Sequence, residues 1–390
     1  MAFSDWPKQW RAFALFFFAY YGYIGILSPY VSLFFAGKGI PAAQIGVLMS
    51  LTQGMRIFGP NLWGWIADRS QKRVFVLRMT ALAAVASFAG MLYGQTFMEF
   101  FVVMLLVNAF ASALAPVAEA HMLTEMRGDL THYGKLRLWG SVGFIVSVLV
   151  VGSLLDWKGV HLMPWAALAL LALAFFSSCR MQEAAQVQIV HKVGSARSLL
   201  KRREVLAFFS STFLMIAAHS ALYVFYSLYL AQLGYSKTVI GLMWSLGVVA
   251  EIVFFYYQAP IFRKFGIRKL MIACLLLAAV RFFMIGFGAQ SLALLLIAQV
   301  LHAATFGVHH SASIASLQRW FHGPLQARGQ ALFISVSYGL GGTFGGLFFS
   351  IVWDKFGPQA VYSSAALMAI GGAIAAQCCY RWQTTSEERI

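Results

Sequence analysis

Three charged side chains stand near the middle of apolar runs: Arg56, Glu251 and Arg281. A fourth, Glu119, lies toward the end of another. A charge at the centre of a membrane-crossing helix costs about 2.5 to 3.5 kcal/mol on insertion scales, so such a group normally faces a partner or a water-filled path. Glu251 reads in two ways. It is either a buried carboxylate that takes up and releases a proton during a transport cycle, tuned by Arg281 or Arg56, or one half of a fixed ion pair between packed helices. The first reading is preferred, because intramembrane ionisable groups are functional by default. Arg56 and Arg281 either grip an anionic ligand through the planar guanidinium fork or only neutralise a glutamate.

Histidines add proton chemistry. His302, His309 and His310 share one apolar run, and His302 and His309, seven apart, share a helix face. His302, the mid-span member, is a candidate proton relay or a hydrogen-bonded structural histidine. For His309 and His310 the structural role is preferred. No third ligand completes a metal site. The cysteines Cys179, Cys274, Cys378 and Cys379 show no paired-ligand spacing and are assigned neither a disulfide nor a metal. Aromatic residues crowd two runs: Phe16, Phe17, Phe18, Tyr20, Tyr21 and Tyr23 in one, Tyr223, Tyr226 and Tyr229 in another. They suit a flat apolar ligand, but most are expected to be lipid-facing bulk. The glycines of YGLGGTFGG from Tyr338 are read as close helix packing. Asp68, opening DRSQKR at a helix end, either ties basic residues of the next loop or is a solvated interfacial charge.

The elements that must hold these groups are membrane spans. The 390 residues are 60% hydrophobic and only 11% charged, against about 25% charged in soluble domains. Runs near the roughly 20 residues a span needs lie at Trp10 to Phe35, Ala42 to Ala67, Val74 to Tyr93, Phe97 to His121, Leu136 to Leu155 and Leu162 to Cys179. Six more lie at Val205 to Leu233, Lys237 to Phe262, Leu270 to Gly288, Leu292 to Leu317, Ala327 to Trp353 and Gln359 to Trp382. The first run carries no A-x-A-like cleavage site and reads as a span. With both termini cytoplasmic, 23 of the 29 Lys and Arg fall on the inner side and four on the outer (Lys38, Lys158, Lys237, Lys355), with Arg56 and Arg281 inside spans. The positive-inside rule therefore puts both termini in the cytoplasm. The net charge of +16 is dispersed over short loops, which argues against nucleic acid as a partner.

A polar, basic stretch from Gln182 to Glu204 divides the chain into residues 1–181, a linker 182–204 and residues 205–390. An internal repeat supports this division. IGVLMSLTQGMRIFGP from Ile45 aligns with IGLMWSLGVVAEIVFF from Ile240, which pairs Arg56 with Glu251, Asp68 with Arg263, Arg69 with Lys264 and Arg73 with Arg268. SLLDWKG from Ser153 is echoed by SIVWDKFG from Ser350. The expected fold is an all-α membrane protein of twelve transmembrane helices in two pseudo-symmetric six-helix bundles, an arrangement of parallel repeats that suits alternating access.

GWIADRSQKR, Gly64 to Arg73, resembles the loop 2-3 signature of the major facilitator superfamily, and its second-half counterpart APIFRKFGIRK from Ala259 has lost the acid. The resemblance implies a conformational gating loop containing Gly64, Asp68, Arg69 and Arg73. EAHMLTEM followed by YGKLRLWGSVGF resembles the lactose permease segment in which a glutamate and an arginine eighteen residues apart bind substrate. Glu119 and Arg137 have that separation. VRFFMIG around Arg281 and LHAATF around His302 are similar to lactose permeases as well. In those, the helix-10 histidine is followed three residues later by a carboxylate that releases the proton, and here Thr305 occupies that place. The departure shifts the proton to Glu251 or Glu119. YGKLRLWGSV, MWSLGVVAE, Arg56, Arg281 and LHAATF also resemble features of the phenylpropionate permeases.

That resemblance implies a proton-coupled symporter of an aromatic carboxylate such as 3-phenylpropionate in a bacterial inner membrane. The implied substrate-binding residues are Glu119, Arg137, Arg56 and Arg281, and the proton-coupling residues are Glu251, His302 and Glu119. A sugar or nucleoside symporter is the alternative on the same frame, and a membrane sensor or receptor-like protein is the alternative of another class. No H-E-x-x-H pair, G-x-S-x-G elbow or phosphate-cradling loop is present, so no enzymatic activity is expected. The expected partners are a small-molecule substrate, protons and membrane lipid, with no cofactor, in a monomer.

Overall fold

The computed structural model describes residues 7–126, 130–183 and 199–383, and its long elements are all helical, with no strand among the described residues. Nine helices among them are long and apolar enough to cross a membrane. Two of these are double. Lys237–Gly288 breaks at Gly266 (φ 73°, ψ 158°) and Gln326–Trp382 at Gly357 (φ 78°, ψ −175°), a left-handed conformation that ends a helix and that glycine adopts without a Cβ clash. Ala42–Ser70 is a further 29-residue helix, less apolar than the nine.

Counted this way, the helices are α1 (Lys8–Gly37), α2 (Ala42–Ser70), α3 (Arg73–Leu92), α4 (Phe97–Glu125), α5 (His132–Lys158) and α6 (Val160–Ser178). They continue with α7 (Arg203–Gln232), α8 (237–265), α9 (267–288), α10 (Leu292–Trp320), α11 (326–356) and α12 (358–382). In the linker of the sequence reading, residues 184–198 lie outside the described residues; Leu199–Lys201 forms a short 3-10 turn before α7.

Two compact units emerge. Unit one is Met1–Gln188 with Gly234–Ser245, and unit two is Ile189–Leu233 with Leu246–Ile390. In unit one, α1 packs along α5 and α6; in unit two, α7 packs along α11 and α12. These two helices are the most enclosed. Their most apolar stretches are 72% and 78% buried, against 33 to 50% for the other seven spans. The expectation that the aromatic residues of α1 and α7 are lipid-facing bulk is therefore overturned: Phe16, Phe17, Tyr20, Tyr23, Tyr226 and Tyr229 are buried, and Phe18, Tyr21 and Tyr223 half-buried. Hydropathy cannot separate these cases, because a helix at the centre of a bundle and one facing lipid are equally apolar.

Glycine sets the spacing of both central pairs. A Cβ on Gly143 of α5 would collide with the backbone of Phe18 in α1, and one on Gly345 of α11 with the backbone of Ala217 in α7. Small residues let helix backbones approach closely where lipid offers no hydrophobic drive to associate. Three helices of unit two also contain π-helical turns, at Ala221–Phe225 in α7, Ala303–Val308 in α10 and Ile334–Gly341 in α11.

At the start of α8, within unit one, Asp156 at the end of α5 caps the helix. Its Oδ1 accepts from the backbone N–H of Lys237 and its Oδ2 from that of Thr238, both at 2.8 Å, and the Thr238 hydroxyl donates to Oδ2 at 2.6 Å. Tyr30 of α1 donates to the carbonyl of Val148 at 2.7 Å and lies 3.1 Å from that of Lys237. The first amides of a helix have no partner of their own, and a carboxylate meets both that need and the positive end of the helix dipole.

Candidate functional site

Unit two gathers its ionisable groups from four helices. Glu251 of α8 places Oε1 2.8 Å from Nε2 of His302 in α10. One proton bridges this contact: an ionised carboxylate accepts it from Nε2, and a neutral carboxyl donates it to Nε2. The His302 ring stacks on Phe306, with centroids 5.4 Å apart and planes within 8°. Its buried Nδ1 has no hydrogen-bond partner.

Arg281 of α9 is fully buried. Its Nε donates to the carbonyl of Ala298 at 2.8 Å, and its Nη1 donates to the Thr305 hydroxyl at 3.2 Å and lies 3.5 Å from Nε2 of His219 in α7. The buried Nη2 has no partner. Among the described residues no carboxylate pairs with Arg281, so the pairing of Glu251 is with His302 and not with Arg281. Thr305, in the place where the lactose permeases carry an acid, serves as an acceptor for the guanidinium and is itself buried. His219 was not singled out from the sequence. The signal was present, since it is a lone histidine in the apolar run from Val205 to Leu233, the same kind of outlier as His302.

His310 lies further along α10, with Nδ1 3.0 Å from the Tyr338 hydroxyl, while His309 is buried. No group of three or more histidine, cysteine or acidic residues suited to a metal occurs among the described residues, and the four cysteines are free thiols.

In unit one the pair eighteen residues apart meets. Arg137 Nε donates to Glu119 Oε1 at 3.0 Å, with each side chain about a third exposed (32% and 30%). The helix begins four residues before the Leu136 to Leu155 run, so Arg137, at the edge of that run, stands within α5. Its guanidinium lies 4.0 Å from the centroid of Tyr21 and 5.9 Å from that of Phe17, both in α1. Arg56 sits exposed on α2 in unit one, whereas its repeat counterpart Glu251 belongs to unit two.

At the other end of α2, Asp68 Oδ1 accepts from Arg73 Nη2 at 2.9 Å, and Arg73 Nη1 donates to the Thr124 hydroxyl of α4 at 2.8 Å. Gln71 makes the turn between α2 and α3 with φ 56°. Arg69 lies over the Trp65 ring at 5.7 Å, and a Cβ at Gly64 would meet open space.

The described residues form an all-helical, multi-pass membrane protein with internal charges, and its match to a major facilitator family model makes it a transporter of that type. Residues 10–364 match the MFS_1 like family, and the chain belongs to it. It is 29% identical to the probable 3-phenylpropionic acid transporter of Escherichia coli (strain K12) over 78% of this chain and 81% of that one. It is 27% identical to the maltose permease of Geobacillus stearothermophilus over 93% and 92% of the two chains. The crystal structure of the nucleoside transporter NupG superposes with a TM-score of 0.84, at 18% identity, over 97% of this chain and all of that one. These relatives are transporters, not enzymes.

Proposed function

We propose that the protein is a proton-coupled symporter of a small aromatic carboxylate such as 3-phenylpropionate, working by alternating access in a bacterial cytoplasmic membrane with both termini inside. The observation that carries the reading is the 2.8 Å contact of Glu251 Oε1 with His302 Nε2, in the unit that also holds the fully buried Arg281. A proton-binding pair and a fixed positive charge are the two groups that coupled uptake of an anion requires.

In this reading Glu251 and His302 carry the coupling proton, and Arg281 binds the carboxylate. Arg56, Arg137 and Glu119 are further substrate-binding residues; Glu119 is also a second proton site. Gly64, Asp68, Arg69 and Arg73 gate the conformational change. The probable 3-phenylpropionic acid transporter among the relatives supports an aromatic acid, and aromatic side chains suit the other end of such a ligand.

The likeness to the maltose permease extends over more of the chain, which favours a sugar or nucleoside symporter as the second reading. Uptake of radiolabelled 3-phenylpropionate into cells or vesicles under an imposed inward proton gradient separates the two. The first reading expects accumulation that a protonophore abolishes and that sugars and nucleosides leave untouched. Competition by sugars or nucleosides, with no uptake of aromatic acids, reverses it.

A further inference from the structure

We propose that His219 is a specificity-determining positioning residue: it holds Arg281 as an acceptor without neutralising it, and so reserves the Nη2 edge and its positive charge for a carboxylate ligand. The inference rests on the reading of the substrate as an anion and adds the residue that makes the site select one.

The hydrogen-bond chemistry of the ring comes first. His219 is fully buried, and its Nδ1 lies 2.9 Å from the carbonyl oxygen of Met215, one turn earlier in α7. A carbonyl only accepts, so Nδ1 carries the ring proton and Nε2 presents a lone pair. That lone pair faces Nη1 of Arg281 at 3.5 Å. The tautomer is thus fixed by the backbone of α7, and the ring meets the guanidinium as an acceptor.

The remaining partners of Arg281 are also uncharged. Ala298 offers a carbonyl to Nε and Thr305 a hydroxyl to Nη1. Three neutral acceptors orient the fork and none supplies a counter-charge in contact; Glu251, whose charge reaches the guanidinium across space, makes its contact with His302. A buried guanidinium of this kind normally has a carboxylate partner, because removing a charge from water is costly unless it is paired. Here Nη2 is enclosed and without a partner. The missing group is an anion presenting oxygen to Nη2, and a carboxylate matches the planar geometry. His219 and Thr305 stand at or beside π-helical turns, Ala221–Phe225 two residues past His219 and Ala303–Val308 around Thr305, a departure from the α ladder frequent at functional sites.

The test measures binding of 3-phenylpropionate and of its neutral amide to the purified full-length protein, together with KM and kcat for uptake, in wild type, His219→Gln and His219→Phe. Glutamine keeps an acceptor oxygen; phenylalanine keeps the ring volume and removes it. The expected result is a wild-type preference for the acid over the amide, reduced about tenfold or more in His219→Phe through the acid alone and largely retained in His219→Gln. The change should appear in KM more than in kcat, with thermal stability in detergent keeping the Phe variant folded. An unchanged preference in His219→Phe overturns the role of His219 while leaving the anion reading intact. So does equal weakening of acid and amide. A wild type that does not distinguish acid from amide overturns both. Should His219→Phe fail to fold, His219→Asp decides: an internal counter-charge should abolish the acid preference, and its persistence overturns the proposal.

Discussion

Glu251 and His302 meet at 2.8 Å although they lie on different helices of unit two, α8 and α10. Such a contact lets a proton move between a carboxylate and an imidazole with little rearrangement, and removing the carboxylate should separate binding from coupling. Glu251→Gln is expected to abolish gradient-driven accumulation while exchange of internal for external substrate survives. Counterflow and uphill uptake, measured side by side in vesicles, check this. Unaltered uphill transport in the variant would end the idea.

Arg137 and Glu119 form a partly exposed pair, so its contribution to stability is small. Pairs of that exposure are worth about 0 to 1 kcal/mol, with about 0.5 to 1 kcal/mol from stacking of the guanidinium on Tyr21. Arg137→Lys keeps the charge but loses the planar fork and much of the stacking. The expected outcome is a melting temperature close to wild type and substrate binding weakened about tenfold, read by thermal unfolding and equilibrium binding on the same sample.

Asp156 behaves differently. Its carboxylate accepts two backbone amides and a hydroxyl at the start of α8, and its role in the fold is to cap. Asp156→Ala is expected to destabilise the protein by about 1 to 2 kcal/mol, the usual cost of removing a cap, and Asp156→Asn by less. Thermal unfolding in detergent orders the three proteins as wild type, Asn, Ala.

Gly143 and Gly345 have no room for a side chain. Gly143→Val or Gly345→Val pushes a Cβ into backbone of the neighbouring helix, and since a main chain cannot swing aside as a side chain does, the loss should be about 3 kcal/mol or more. Gly64→Ala meets open space and is expected to fold normally. Membrane yield and size-exclusion profiles distinguish the outcomes.

Asp68 is largely exposed, at 66% for its side chain, so its bond to Arg73 adds little to stability. Asp68→Asn should leave the melting temperature unchanged and slow transport without changing substrate affinity. Initial uptake rates set against equilibrium binding test this.

Much of the architecture was legible because the bilayer imposes a single length on every crossing helix. Ala42–Ser70, read as a span over Ala42 to Ala67, is less apolar than the nine, since its polar residues and Arg56 lower its hydropathy. Charge burial marked Glu251 and Arg281, yet not the partner of either: α8 meets α10 through tertiary packing, and no spacing along the chain encodes that contact. The Glu119 and Arg137 pair was reached through family resemblance, because Arg137 stands at the inner edge of the Leu136 to Leu155 run, where a basic residue reads as one more inner-side charge. His219 escaped notice for want of a neighbouring charge in sequence. The aromatic residues of α1 and α7 misled for the converse reason: their type speaks of an apolar setting and not of which apolar surface surrounds them.

The π-helical turns of α10 and α11 stand differently against the internal repeat. The repeat offset is 195 residues from Ile45 to Ile240 but 197 from Ser153 to Ser350. The later half therefore holds two additional residues between those landmarks. A π turn accommodates one residue more than the α ladder has places for, yet α10, which holds one at Ala303–Val308, keeps the 29-residue length of α4 and the 195 offset at both ends. The surplus falls after α10, between Trp320 and Ser350, in the stretch that contains the π-helical segment Ile334–Gly341 of α11 and Tyr338. The halves thus keep one register through α10, His302 included, and lose it before Ser350.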